Sequence, residues 1–386
     1  MRKILSLILV LTIISVTLSG CMTDDTTIID ITSADEADSQ GLPVYSSLDA
    51  EKREIYLAIC GAIETFYQDE LLIGVYDNEH DRDEMMLWLE NIYVQIIYEH
   101  PEYFWISPYD YQVITKDSEI QYKLYIKPSY LMFEKETREN KARFESKVDA
   151  IVAEASKIDD LYEKVLFVYD YILENTKYDY EVAEKGYSMS MSRSAYGCIV
   201  DGTTVCSGYS LAFSLIMRRL GIECGTEFNV YGGESLYSGH VWNYCKLEGE
   251  YYYFDLTWDD TIFDTDDYRE DIPYSHCFFG ITSEELQMSR EVSIDAPTPD
   301  CDGEDFNYYK RLGRSFEKYD RDLVAQEILK QKDNRYIELR FDSPEETLKA
   351  EKDLMDDKWI FTFISGHDNV KYVRSTSNMQ FYILLK

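Results

Sequence analysis

Apolar positions at helical spacing begin shortly after residue 45. Ile55, Ile59, Ile63 and Tyr67 lie on one face of the segment Ser46–Ile73 and predict a first helix over it. A second helical pattern, Met85–Tyr98, stops before Pro101. The alternating stretches YDYQVIT and IQYKLYIKPSYLMF, separated by a turn at Lys116-Asp117-Ser118, predict strands. Residues 46–140 therefore read as an α+β N-terminal domain. A charged helical stretch, Lys135–Ser156, leads into a middle domain over 141–300. Its first strong element is DDLYEKVLFVYDYILENTKYDY, with Leu161, Val165, Val168 and Ile172 on one face and Asp160 and Glu163 in capping positions. In the last part, 301–386, Ser343-Pro344-Glu345-Glu346 has the cap, N1 proline and N3 glutamate of a helix start. It lies between the strand-like YIELRF and the further strand-like runs KWIFTFIS, VKYVRS and MQFYILL, which makes a small α/β module.

The first twenty residues stand apart from this pattern. Arg2 and Lys3 precede an apolar run, and small residues follow before Cys21, the layout of a secretory signal over 1–20. Leu18-Ser19-Gly20-Cys21 resembles a lipobox, so Cys21 is expected to carry a lipid that anchors the chain outside the cell, at its surface. Residues 21–45, rich in Thr, Asp and Ser, read as a solvated tether. The formal net charge is -35, and losing Arg2 and Lys3 with the signal makes the chain more acidic still. Such a surface repels nucleic acid and anionic headgroups, so no nucleic-acid partner is expected. Seven of the eight cysteines lie beyond Cys21, and none forms a CxxC pair. A zinc site has no support, no metal or cofactor is expected, and the odd number leaves at least one thiol unpaired within the chain.

One of those cysteines opens an apolar helical pattern. In TTVCSGYSLAFSLIMRRLG, Leu211, Leu215, Ile216 and Leu220 share a face, and Gly221 is placed to end the helix. Cys206 then sits at the first turn, where free N–H groups and the positive end of the dipole favour a thiolate. Gly208 permits close approach of backbone or substrate. Further on, GHVWNYCKLEGEYYYFDLTW contains two alternating runs around Glu248-Gly249, a hairpin in which Leu247 faces Glu250 and, counting outward, Trp242 faces Asp255. His240 lies two residues from Trp242 and shares its face, so Asp255 is one diagonal step from His240, about 7 Å between Cβ atoms. A thiol needs a base to become a nucleophile and an acid to release the amine, and histidine oriented by a carboxylate supplies both.

These stretches, with the preceding YEKVLFVYDYILENTKYDY, resemble the core of the transglutaminase-like superfamily of papain-like thiol enzymes, nearest to its bacterial and archaeal surface members. The resemblance covers roughly Asp159 to Leu286. It implies an α+β fold in which the helix bearing the cysteine packs on an antiparallel sheet bearing the histidine and aspartate, with Cys206 as nucleophile, His240 as base and Asp255 as orienting acid. Ser207 stands where many relatives carry Gln or Glu, a departure that concerns substrate contacts. The Cys206 N–H is the first expected oxyanion donor, and Tyr196 a candidate second through its hydroxyl. Trp242, Trp258, Ser207 and Gly208 are candidates for the substrate cleft. The acidic DDTIFDTDDYRED lacks the spacing of a calcium loop and reads as solvated. His276 beside Cys277 is discounted as a dyad, because adjacent strand residues face opposite ways.

The expected activity is thiol acyl transfer on amide bonds of protein or peptide substrates outside the cell, with water favoured over a lysine amine as acceptor. Two alternatives stand beside it. One is a catalytically silent module of the same fold that binds peptides or cell-wall components. The other is a structural lipoprotein in which Cys206 is bonded to another cysteine such as Cys198.

Overall fold

A computed structural model of the chain describes residues 42–118, 121–187, 189–229, 239–261, 272–290, 299–365, 370–375 and 379–385. The signal, Cys21, nearly all of the tether and most of the acidic stretch after Asp260 lie outside these residues.

Asp49 caps α1 (Ala50–Glu64) by accepting from the Lys52 N–H. The helix is shorter than its apolar spacing predicts. Phe66 adopts a positive φ of 54° and stacks on Trp105 and Tyr130, which turns the chain so that Leu71–Ile73 enter a strand, β1 (Leu71–Tyr76). Asn78 caps α2 (Glu79–Glu99), which starts six residues before Met85. Strands β2 (Ile106–Asp117) and β3 (Tyr122–Tyr130) follow, and the Ser118 N–H donates to the Gln121 carbonyl between them, just beyond the predicted turn at 116–118. The antiparallel sheet has the order β1-β3-β2.

Two helices lead to the centre of the molecule, α3 (Glu134–Ala155) and α4 (Leu161–Asn175), the second capped by Asp160 accepting from the Glu163 N–H. Next comes α5 (Cys206–Arg219), buried on every side from Ser207 to Met217. It is a central helix rather than a surface one with a single apolar face. Gly221 ends it at a φ of +77°, with the Ile222 N–H returning to the Met217 carbonyl. Burying side chains such as Leu211, Phe213 and Ile216 contributes about 1.5–3 kcal/mol each.

Strands β4 (Cys224–Asn229), β5 (His240–Leu247) and β6 (Glu250–Phe254), the short α6 (Leu256–Thr261) and β7 (Phe279–Ile281) build the sheet beside α5. All its pairings are antiparallel, in the order β4-β5-β6-β7. Val241, Cys245 and Leu247 join the core that contains α5, while Trp242, Tyr253 and Ile281 form a separate apolar layer on the opposite face with Phe278 and Leu286. The larger core is continuous from Ile55 to Phe306, so α1, α2 and the first sheet pack directly against the region of α5. Arg218, near the end of α5, donates to the Glu99 and Tyr98 carbonyls and fastens the two regions together.

A short helix, α7 (Ser283–Gln287), carries a full capping box between Thr282 and Glu285. The last part holds β8 (Ser315–Phe316), α8 (Arg321–Gln331), β9 (Ile337–Phe341), α9 (Pro344–Glu351), β10 (Val370–Ser375) and β11 (Gln380–Leu385) around its own core. Its sheet order is β8-β9-β11-β10, with only β8 and β9 parallel. Ser343 caps α9 as its sequence indicates. KWIFTFIS, predicted as a strand, instead makes a 3-10 turn at Trp359–Thr362. Ile360 and Ile364 both reach the core from this segment. The whole is a mixed α+β fold.

Candidate active site

Cys206 is the first residue of α5, and no side chain caps that helix end. Its sulfur therefore meets the positive end of a fourteen-residue helix. Opposite it, the hairpin between β5 and β6 has a two-residue turn, with Glu248 and Gly249 at φ of 52° and 97°. The register runs from Leu247–Glu250 to Asn243–Phe254, so the next step outward would set Trp242 against Asp255. The parity that brings Asp255 to the face of His240 follows from this, and His240 Nε2 lies 2.7 Å from Asp255 Oδ2. With Nε2 engaged, Nδ1 is the nitrogen left for the Cys206 sulfur, which lies near enough to His240 and the Val241 N–H for both to favour its thiolate.

Two polar side chains set the gap between helix and strand. Ser210 donates to the Val241 carbonyl at 3.1 Å, and Asn243 donates to the Ser210 carbonyl at 3.0 Å. Both are buried, so losing either would leave a carbonyl between α5 and β5 short of a donor.

The electrostatics follow from these contacts. Burial alone would raise the Cys206 thiol, but the hydrogen bond and charge of His240, helped by Arg193 and the Val241 N–H, outweigh it and lower the pKa. Burial opposes a charged imidazole as well, yet Asp255 and then Cys206 prevail and push His240 up to about 9. Burial would raise Asp255, and the charges of His240 and Arg290 bring it down to about 2. The three groups together favour thiolate, imidazolium and carboxylate.

Arg290 was not singled out from the sequence. Its Nη1 donates to Asp255 Oδ2 at 2.5 Å, and its side chain is fully buried. The guanidinium lies 3.7 Å from the Trp258 ring centre and also faces Trp242 and Phe278. Asp255 Oδ1 accepts the Trp258 N–H at 3.1 Å, so both carboxylate oxygens are held. No pattern in SREVS marks this arginine; only the fold brings it to Asp255 from 35 residues away.

The remaining candidates divide. Trp242 and Trp258 each stand 5.7 Å from the His240 ring and enclose it, although Trp242 is completely buried and packs rather than lining an open cleft. Ser207 is likewise fully buried and faces the interior. A Cβ on Gly208 would meet Thr204 Oγ1 at 1.7 Å and the Ser194 carbonyl at 2.7 Å, so this glycine serves close packing of the helix start, not substrate. Tyr196 is no oxyanion donor in this arrangement. Its ring packs on Phe104 and Phe144, and its hydroxyl donates to Asn140 on α3 at 3.2 Å. Cys198 meets Thr176 rather than Cys206. His276 and Cys277 do part company, in a turn before β7 rather than on a strand: His276 pairs with Asp170 at 2.7 Å while Cys277 bonds Ser275. Among the described residues no group of three or more His, Cys, Asp or Glu could hold a metal ion, and Asp259 at the head of the acidic stretch is buried against Tyr169 and Ser275.

Residues 149–256, which include Cys206, His240 and Asp255, match the family model of the transglutaminase-like superfamily. The match to a transglutaminase-like domain thus covers 149–256, within the middle of the chain. Among solved structures, the chain is similar to one described as a TGase, at 14% identity and a TM-score of 0.26, over 38% of this chain and 44% of the other. It is similar also to a candidate cysteine protease from Cytophaga hutchinsonii, at 14% identity and a TM-score of 0.24, over 38% and 65% of the two chains. A candidate protease from Parabacteroides distasonis gives 8% identity and a TM-score of 0.24, over 40% and 38%. The chain covers less than two thirds of each of them. No curated protein matches it by sequence.

Proposed function

We propose that the protein is a cysteine-dependent acyl-transfer enzyme acting on amide bonds of proteins or peptides outside the cell. The observation that carries this reading is the meeting of Cys206, at an uncapped helix start, with a histidine whose far nitrogen is held by a buried carboxylate. In the proposed cycle the Cys206 thiolate attacks the carbonyl carbon, and the oxyanion is held by the Cys206 N–H. His240 gives its proton to the departing amine, which leaves a thioester. A water molecule then surrenders a proton to His240, attacks the thioester and releases a carboxylic acid and the free thiol. An amine in place of that water would give a new amide; hydrolysis is the form proposed here, since water is abundant outside the cell and no feature marks an amine site. Trp242, Trp258 and Arg290 screen the imidazole and carboxylate from solvent. The proposed extracytoplasmic, membrane-anchored location rests on the lipobox-like end of the leader, and intact-mass measurement of a diacylglyceryl group on Cys21 tests it.

The activity is tested by incubating the protein with a peptide library, with and without a labelled primary amine, and mapping cleaved or modified products by mass. New carboxyl termini or deamidated glutamines that disappear with Cys206→Ala support the proposal. Binding of peptides without any product, equal in both proteins, favours the silent module.

A further inference from the structure

We propose that Cys224 and Cys245 form a disulfide site that staples β4 to the strand bearing His240. The two residues are direct partners in the antiparallel ladder between β4 and β5. The Lys246 N–H donates to the Glu223 carbonyl at 2.9 Å, which makes 223 and 246 the hydrogen-bonded pair and 224 and 245 the neighbouring non-hydrogen-bonded one. In such a pair the Cα atoms stand about 4.5 Å apart with side chains on the same face, within the span of about 4.4–6.8 Å that a disulfide bridges. Both thiols are buried against the same core. Of the other described cysteines, Cys60 meets His100, Cys198 Thr176 and Cys277 Ser275, while Cys301, which bonds the Pro299 carbonyl, is near enough to act on Cys245 but is not its ladder partner. Pairing 224 with 245 leaves Cys206 free.

The bond forms by thiol–disulfide exchange with a disulfide-carrying donor, a small molecule or an oxidoreductase. One cysteine thiolate attacks the donor disulfide and releases one donor thiol; the second cysteine attacks the mixed disulfide and releases the other. The two cysteines lose two electrons and two protons, and the donor takes them up as two thiols. Burial and then the adjoining Cys224 sulfur push the Cys245 thiol well above its ordinary value, so the folded, reduced pair exchanges slowly and the bond closes as the sheet assembles.

The staple sits at one end of the six-pair ladder, and Asn229–His240 is the pair at the other end. A slip of one residue would turn His240 to the wrong face, and a covalent link at 224–245 forbids that slip.

The full chain, carrying Cys206→Ser so that the reactive thiol takes no part, is exported by a host into an oxidising compartment, unfolded in N-ethylmaleimide and mapped by mass. A Cys224 peptide joined to a Cys245 peptide, separated by reductant, is expected. Maleimide on both cysteines, or a link from either to another cysteine, overturns the proposal. The same protein, reduced, unfolded and refolded in a glutathione buffer, is expected to recover the link and to melt roughly 5–10 °C higher than its reduced form. Equal midpoints for the linked and reduced forms overturn the stapling role.

Discussion

Removing Arg290 should raise the pKa of His240. Both residues bond the same oxygen, Asp255 Oδ2, at 2.7 and 2.5 Å, so their nitrogens cannot stand more than about 5 Å apart. At an effective dielectric near 20, two positive charges at that separation repel by about 3 kcal/mol, equivalent to roughly two pK units on the imidazolium. Spread of the guanidinium charge reduces this, and Arg290→Met is expected to raise the His240 midpoint by about one unit or more. The measurement is nuclear magnetic resonance of ring-labelled histidines in a Cys206→Ala background, which frees the titration from the thiol. With five histidines in the sequence the spectrum is simple, and the signal lost in His240→Ala identifies the ring. Breaking a buried ion pair also costs stability, about 3–5 kcal/mol, so melting is followed in parallel. Arg290→Lys keeps the charge without the fork and should leave the midpoint near that of the parent. A folded Arg290→Met protein with an unmoved or lowered His240 midpoint would refute the argument.

Gly208→Ala should lower the melting temperature by several degrees, because its Cβ meets the Ser194 carbonyl at 2.7 Å and overpacking costs about 1–3 kcal/mol; an unchanged melting curve would contradict the contact. Tyr196→Phe should leave Cys206 alkylation and any turnover unchanged, since its hydroxyl is engaged with Asn140 on α3; a tenfold loss of turnover would restore the oxyanion role. The His240–Asp255 pair also shapes stability against pH. His240 is raised from about 6.5 to about 9, so its contribution is complete below the first value and is lost as pH rises through the second. Asp255 is lowered to about 2, so its contribution is present above about 3.9 and is lost as pH falls toward 2. The difference in melting temperature between the natural protein and His240→Ala should therefore be greatest between about pH 4 and 6.5, and a difference independent of pH would contradict the pairing.

The hairpin was legible in the sequence because a two-residue turn at Glu248-Gly249 and the two-residue side-chain period leave no freedom in which face His240 and Asp255 share. The helix starts at Asp160 and Ser343 were legible for a similar reason, since a cap acts on backbone three residues away. What long-range packing decides was not. Phe66 stops α1 early through its stacking on Trp105 and Tyr130, and the apolar spacing of Ile55, Ile59 and Ile63 contains no trace of that. Tyr196 and Ser207 sit near Cys206 in the chain and turn into the interior, whereas Arg290 lies far along it and arrives at Asp255. Proximity in sequence misleads where a central helix buries every face.

The central claim is that Cys206 is a thiolate sustained by His240. Its direct test is the rate of Cys206 alkylation by iodoacetamide from pH 5 to 9, followed by peptide mass mapping in the natural protein and in His240→Ala. The account predicts fast labelling that persists well below the ordinary thiol pKa of about 8.5 and collapses in the variant. Labelling that rises only near that value, and identically in both proteins, would contradict it.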